Sequence, residues 1–140
     1  MKKRVKALIG LCLVAALAFG GVANYAQAYT LQVTDDYGRV HAAECSSEIG
    51  VTSGSACTIS SGTSYGYCYV NATFTWYGNP GIGSYSNGNS AAGMHGASVS
   101  MSHNKGSSAM ESGIVTASHT LTETVTDNSR STSTAAFWPN

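Results

Sequence analysis

Four histidines, seven carboxylates and the cysteines are the side chains through which this chain of 140 residues could do chemistry. Their spacing does not assemble a site within any one segment. His95 and His103 fall on one face of a strand-like run but lie eight residues apart, roughly 27 Å at the rise of a β-strand, too far to share one ion. His119 and Glu123 share a face four residues apart, roughly 13 Å by the same rise, again beyond direct coordination. A metal site would therefore need ligands from neighbouring strands, and none is expected; no cofactor is implied. The serines include no G-x-S-x-G elbow. Glu111, Glu123 and Asp127 make a glycosidase-like carboxylate pair only if the fold brings two of them together. Cys45 has His41 four residues away in sequence, but a buried or disulfide-linked cysteine is the simpler reading. The chain is not expected to be an enzyme.

The N-terminus reads as a targeting segment. Met1 to Lys6 is basic, Ala7 to Ala23 is apolar, and Ala26-Gln27-Ala28 has the small-x-small form of a cleavage site. Gly20-Gly21 and that site favour a cleaved signal peptide, residues 1–28, over an uncleaved anchor. Cys12 sits mid-run and does not fit lipid attachment. Cleavage leaves one secreted domain, 29–140, with no membrane span. Arg39, Lys105 and Arg130 then face seven acidic residues, for a net charge of −4. Such a surface excludes nucleic acid, which needs clustered Lys and Arg, and electrostatic attachment to anionic lipid.

Export permits a disulfide among Cys45, Cys57 and Cys68. Cys57–Cys68 is favoured, because the two flank a Gly/Ser/Thr turn and would face each other across a hairpin; Cys45 is then buried or available for an intermolecular bond.

The elements that would position these groups are strands. Tyr29–Val33, Val40–Cys45 and Ala56–Ser60 are short alternating runs, the last with Cys57 and Ile59 on one face; 46–55 reads as loop. From Tyr65 to Tyr77, Cys68, Val70, Ala72, Phe74 and Trp76 form a core face, opposite Tyr67, Tyr69 and Tyr77. Gly78–Gly93 has turn signals and no periodicity, so it reads as a long functional loop. Met94–His103, Ile114–Thr126 and Ser131–Trp138 complete the set. The expected fold is an all-β antiparallel β-sandwich or small barrel.

The stretch from Thr75 carries Thr75-Trp76, Gly78, Tyr85-Ser86-Asn87, then His95, Ala97 and Val99, followed by Gly113, Ala117 and the terminal pair Phe137-Trp138. In these features the last part of the chain resembles the lactococcin-type family of small secreted bacteriocins. The resemblance implies a leader-bearing β-sandwich that acts on the wall-building machinery of related Gram-positive cells rather than by forming pores, and it implies no catalytic residues. The expected partner is a cell-wall precursor or other envelope component of a target cell. With the long loop as binding site, the candidate contacts are Trp76, Tyr77, Asn79, Tyr85, Asn87 and His95. Two other classes fit the same features: a secreted adhesin or surface-associated structural module linked through Cys45, and a protease inhibitor using Gly78–Gly93 as its reactive loop.

Overall fold

A computed structural model describes residues 25–50, 52–61, 66–78, 83–102 and 111–138. Eight strands occupy nearly all of them: β1 (Tyr25–Thr34), β2 (Val40–Ile49), β3 (Ser53–Ser61), β4 (Gly66–Tyr77), β5 (Ser84–Met94), β6 (Gly96–Ser102), β7 (Ser112–Glu123) and β8 (Ser129–Trp138). They form two antiparallel four-stranded sheets, β1-β2-β3-β6 and β5-β4-β7-β8, packed as a sandwich and not closed into a barrel. The all-β sandwich expected from the alternating patterns is thus the fold observed.

The core is built from the inward rows of both sheets. β4 supplies Cys68, Val70, Ala72, Phe74 and Trp76, every one of them buried, and β7 faces the same interior with Val115, Ala117 and Leu121. Leu31, Val33, Ile49, Val99 and Met101 meet them from the first sheet. Gly54 on β3 packs closely against β7 of the other layer. A Cβ there would collide with Val115 Cγ2, so a side chain fits only if the packing shifts.

The strand expected over Ile114–Thr126 ends at Glu123, and three further segments differ from the sequence expectation. The first is 46–55, which is not loop: 46–49 continues β2 and 53–55 opens β3, and Ser47 and Ile49 lie inward on β2. Serine weakens the hydrophobic alternation, but the ladder with β3 runs through Ser46 to Ile49 regardless.

The second is the long loop. Its residues 84–93 belong to β5, which pairs with β4 from Tyr77↔Ser84 to Tyr67↔Met94. Gly78 N–H donates to Gly83 O at 2.8 Å across the hairpin, and residues 79–82 lie outside the described part. Ser, Asn and Gly are poor strand formers, so β5 owes its state to pairing with β4 rather than to its own propensity.

The third is the start of β6. Met94, His95 and Gly96 form a corner where the chain leaves the second sheet and enters the first. His95 adopts a left-handed φ of 70°, donates its N–H to Gly66 O at 2.9 Å, and accepts at its carbonyl from Ser60 N and Ser60 Oγ. It stands outside the ladder face formed by Ala97, Val99 and Met101.

β1 starts four residues ahead of the expected cleavage point. The portion from Tyr29 onward pairs with Val40–Cys45, so a chain cut after Ala28 keeps that ladder. No helix among the described residues is long and apolar enough to cross a membrane.

Candidate functional site

Two hairpin ends, β1–β2 and β7–β8, bring together the only cluster of metal-ligand residue types found among the described residues: Asp35, His41 and Glu123. Asp35 opens the turn Asp35-Asp36-Tyr37-Gly38. Gly38 N–H donates to Asp35 O at 3.0 Å, and Gly38 takes the left-handed φ of 79° that closes the turn. Asp35 Oδ1 accepts from the N–H groups of Tyr37 and Arg39 at 2.9 and 3.0 Å, and Oδ2 from Arg39 Nε at 2.8 Å and His41 Nε2 at 3.0 Å. Burial works to raise the Asp35 pKa. The hydrogen bonds from His41, Arg39 and Tyr37 outweigh it and hold the carboxyl well below the usual carboxylate range.

Glu123 ends β7 with its side chain fully buried. Its oxygens accept from the N–H groups of Val125, Thr126 and Asn128 and from the Thr126 hydroxyl, which ties the turn into β8. Burial again raises its pKa, and the Thr126, Asn128 and Val125 donors bring it down to about 2. His41 Nε2 lies 3.9 Å from Glu123 Oε2. The two turns are laced further by Asn128 Nδ2, which donates to Thr34 O and Asp36 Oδ1, and by Asp36 N–H donating to Thr126 Oγ1.

This arrangement is a clasp between the sheets rather than an open site. An ionised Asp35 accepts from His41, so Nε2 carries the hydrogen, and the other carboxylate contacts are the Arg39 guanidinium and backbone and hydroxyl donors. A cation would have to displace those donors. The neighbouring Nδ1 of His41 is buried with no hydrogen-bond partner among the described residues. Sequence spacing could not reveal the cluster, because its members lie on three separate segments. The one available sign was an acid, Glu123, on the apolar face of a strand just before a turn.

His119 is a second buried polar centre, in mid-sandwich. Thr58 Oγ1 donates to Tyr69 O at 3.2 Å, so its hydrogen is committed and His119 Nδ1–H donates to Thr58 Oγ1 at 2.9 Å. His119 Nε2 then accepts from the Thr134 hydroxyl at 2.7 Å. Burial pushes the His119 pKa from its ordinary 6.5 down to about 4, so a neutral imidazole joins β3, β7 and β8.

The expected Cys57–Cys68 disulfide does not form; no disulfide links Cys45, Cys57 and Cys68. The two cysteines are not on a hairpin, because β3 and β4 lie in different sheets. The core face of β3 is Gly54, Ala56 and Thr58, not the face of Cys57 and Ile59. Cys57 pairs across from Ser46 on the opposite face of its sheet, with Sγ 3.1 Å from Ser46 Oγ, whereas Cys68 points into the sandwich. Cys45 also points inward and is fully buried, which closes the intermolecular route assigned to it. Burial, with the neighbouring Cys68, Cys57 and Glu44, pushes its thiol up to about 12.

The five loop candidates among the described residues are not gathered into one place. Trp76 is buried in the core. Tyr85 stands opposite it on β5, half-buried and packed on the core, and Asn87 stands opposite Phe74. Tyr77 projects from the other face of the sheet. His95 sits at the far end of β5, at the corner beside Gly66, and Asn79 lies outside the described residues, as does His103.

The aromatic residues on the outward row of β4 do share a surface. Tyr67, Tyr69 and Tyr77 are 45%, 38% and 46% exposed, and Phe137 of β8 is 50% exposed on the same face. Between them lies a grid of small polar groups in register: Ser90, Asn71, Ser118 and Ser133 in one row across the sheet, then Gly88, Thr73, Thr116 and Ala135 in the next. A shallow depression of about 180 Å³ is lined there by Asn71, Thr73, Thr116, Ala117, Ser118 and Ser133.

No protein-family model matches this chain, and no curated protein matches it either.

Proposed function

We propose that this chain is a secreted, bacteriocin-like antibacterial protein that acts without catalysis, by binding an envelope component of competing Gram-positive bacteria. The observation that carries this reading is the outward face of the second sheet, where Tyr67, Tyr69 and Tyr77 stand exposed in a single row of β4 above rows of hydroxyls. Exposed tyrosines bring large contact area at low entropic cost, since only two side-chain torsions are fixed. The buried acids and histidines serve the fold, which leaves this face as the best-equipped surface for a ligand. It replaces the loop as the binding region, because most of that loop is a paired strand.

The test is growth inhibition. Purified chain spotted on lawns of several Gram-positive strains is expected to clear zones, and Tyr67→Ala/Tyr69→Ala protein is expected to clear none while keeping its β-sheet circular dichroism. Absence of zones on a broad panel with folded protein, together with retained attachment to the cells, would support the alternative class: an adhesin or surface module using the same face.

A further inference from the structure

Charge distinguishes the two outer faces of the sandwich. β2 places the half-buried Glu44 on its outward row, with the buried Glu48, whose pKa burial raises, four residues on. Among the described residues, the outward rows of β5, β4, β7 and β8 carry no charge; Arg130, exposed near the start of β8, falls on the inward row opposite Leu121. The second face offers hydroxyls, one side-chain amide and aromatic rings instead. Each hydroxyl donates one hydrogen bond and accepts others, which matches the mixed donors and acceptors of a sugar. Several of these groups are already oriented: Thr120 Oγ1 lies 2.8 Å from Ser131 Oγ, and Thr75 Oγ1 lies 3.4 Å from Ser86 Oγ.

The rings are placed at both ends of the polar grid. Tyr67 and Tyr69 stand at one end and Tyr77 and Phe137 at the other. Tyr69 and Tyr77 are separated by roughly 27 Å along β4 at the rise of a strand. That run accommodates several rings of an extended sugar chain, and the aliphatic C–H face of a sugar stacks on tyrosine at either end. The depression lined by Asn71, Thr116 and Ser133 lies between the two ends.

We propose that this face binds one neutral polysaccharide chain, laid along β4 with sugars stacked on Tyr69 and Tyr77 and hydrogen-bonded over Asn71, Thr116 and Ser133. The proposal specifies the ligand of the envelope-binding reading above and rests on it. An anionic wall polymer would find no cationic partner on the outward rows and a single Arg130 at the sheet edge, whereas phosphate recognition relies on clustered Arg, Lys or backbone N–H groups. A second copy of the chain would need one continuous apolar core, whereas the rings here are split between the two ends of a polar grid. An extended peptide adds at a sheet edge by main-chain hydrogen bonds rather than on a face.

The experiment uses three probes with the purified chain: N-acetylglucosamine and glucose hexamers titrated by calorimetry, glycerol-phosphate teichoic acid as competitor, and purified Gram-positive walls in a sedimentation assay. The expected result is binding of walls and of at least one hexamer, with no competition by teichoic acid. Tyr69→Ala is expected to weaken hexamer binding about tenfold, in the range of an interface hot spot. Asn71→Lys, at an exposed position, is expected to abolish it while the fold is kept. Binding of walls with neither hexamer bound, or displacement from walls by teichoic acid, overturns the neutral-glycan inference and leaves the envelope reading standing. No binding to walls overturns both. Hexamer binding unaffected by either substitution overturns the assignment to this face.

Discussion

At the residue scale, the informative side chains are those whose chemistry is absorbed by the interior. His119 is neutral in the folded protein because burial lowers its pKa from 6.5 to about 4. The unfolded chain therefore binds more protons between those values, and stability falls as pH drops from about 6.5 towards 4. The shift corresponds to about 3 kcal/mol at the acid end. Glu123, held down from 4.5 to about 2, extends the loss: its contribution is present above 4.5 and disappears as pH falls towards 2. Urea titrations at pH 7, 5 and 4 should show this decline, and His119→Leu should flatten the part between 6.5 and 4. An unchanged slope in that variant would place the acid sensitivity elsewhere. Trp76 gives a second residue-level expectation. Its ring is fully buried, so Trp76→Ala should cost about 3–5 kcal/mol and, in a domain of ordinary stability, leave little cooperative unfolding transition by circular dichroism.

At the element scale, the clasp couples the β1–β2 and β7–β8 turns and so ties one sheet to the other. Glu123→Gln replaces an acceptor of several N–H groups with an amide that presents its own donors to some of them. Its melting temperature should fall further than that of Thr126→Val, which removes one hydroxyl donor and leaves the backbone bonds in place; equal effects would mean that the carboxylate is not the centre of the clasp. The elements were legible in the sequence where one face was apolar. The β4 row from Cys68 to Trp76 and the β7 row from Val115 to Leu121 have a period of two that admits one reading. β5 was not legible, because Ser, Asn and Gly give no contrast between its faces and its strand character comes from β4. The corner at His95 was not legible because a left-handed histidine has no local sequence signal. The Asp35–His41–Glu123 cluster and the separation of Cys57 from Cys68 depend on which strands are neighbours, information that spacing along the chain does not hold. The tyrosine row of β4 was visible from alternation alone, but its exposure follows from the second layer covering the opposite face.

At the scale of the whole molecule, stability rests on a packed interior and the clasp rather than on cross-links. Cys45 and Cys68 are buried, with their thiols pushed up by that burial. Iodoacetamide at pH 8 should leave both unmodified in the native protein and label both in urea, as read by mass spectrometry; fast native labelling would show an interior more open than the one described. The same division of labour leaves the uncharged outer face of the second sheet available for a ligand, and the central claim concerns that face. Its most direct test is sedimentation of the purified chain with isolated Gram-positive walls at neutral pH, comparing wild type with Tyr67→Ala/Tyr69→Ala and with Tyr37→Ala, an exposed tyrosine on the β1–β2 turn. The account predicts that wild type and Tyr37→Ala co-sediment while the double variant stays in solution. Co-sedimentation of the double variant at the wild-type level would contradict it.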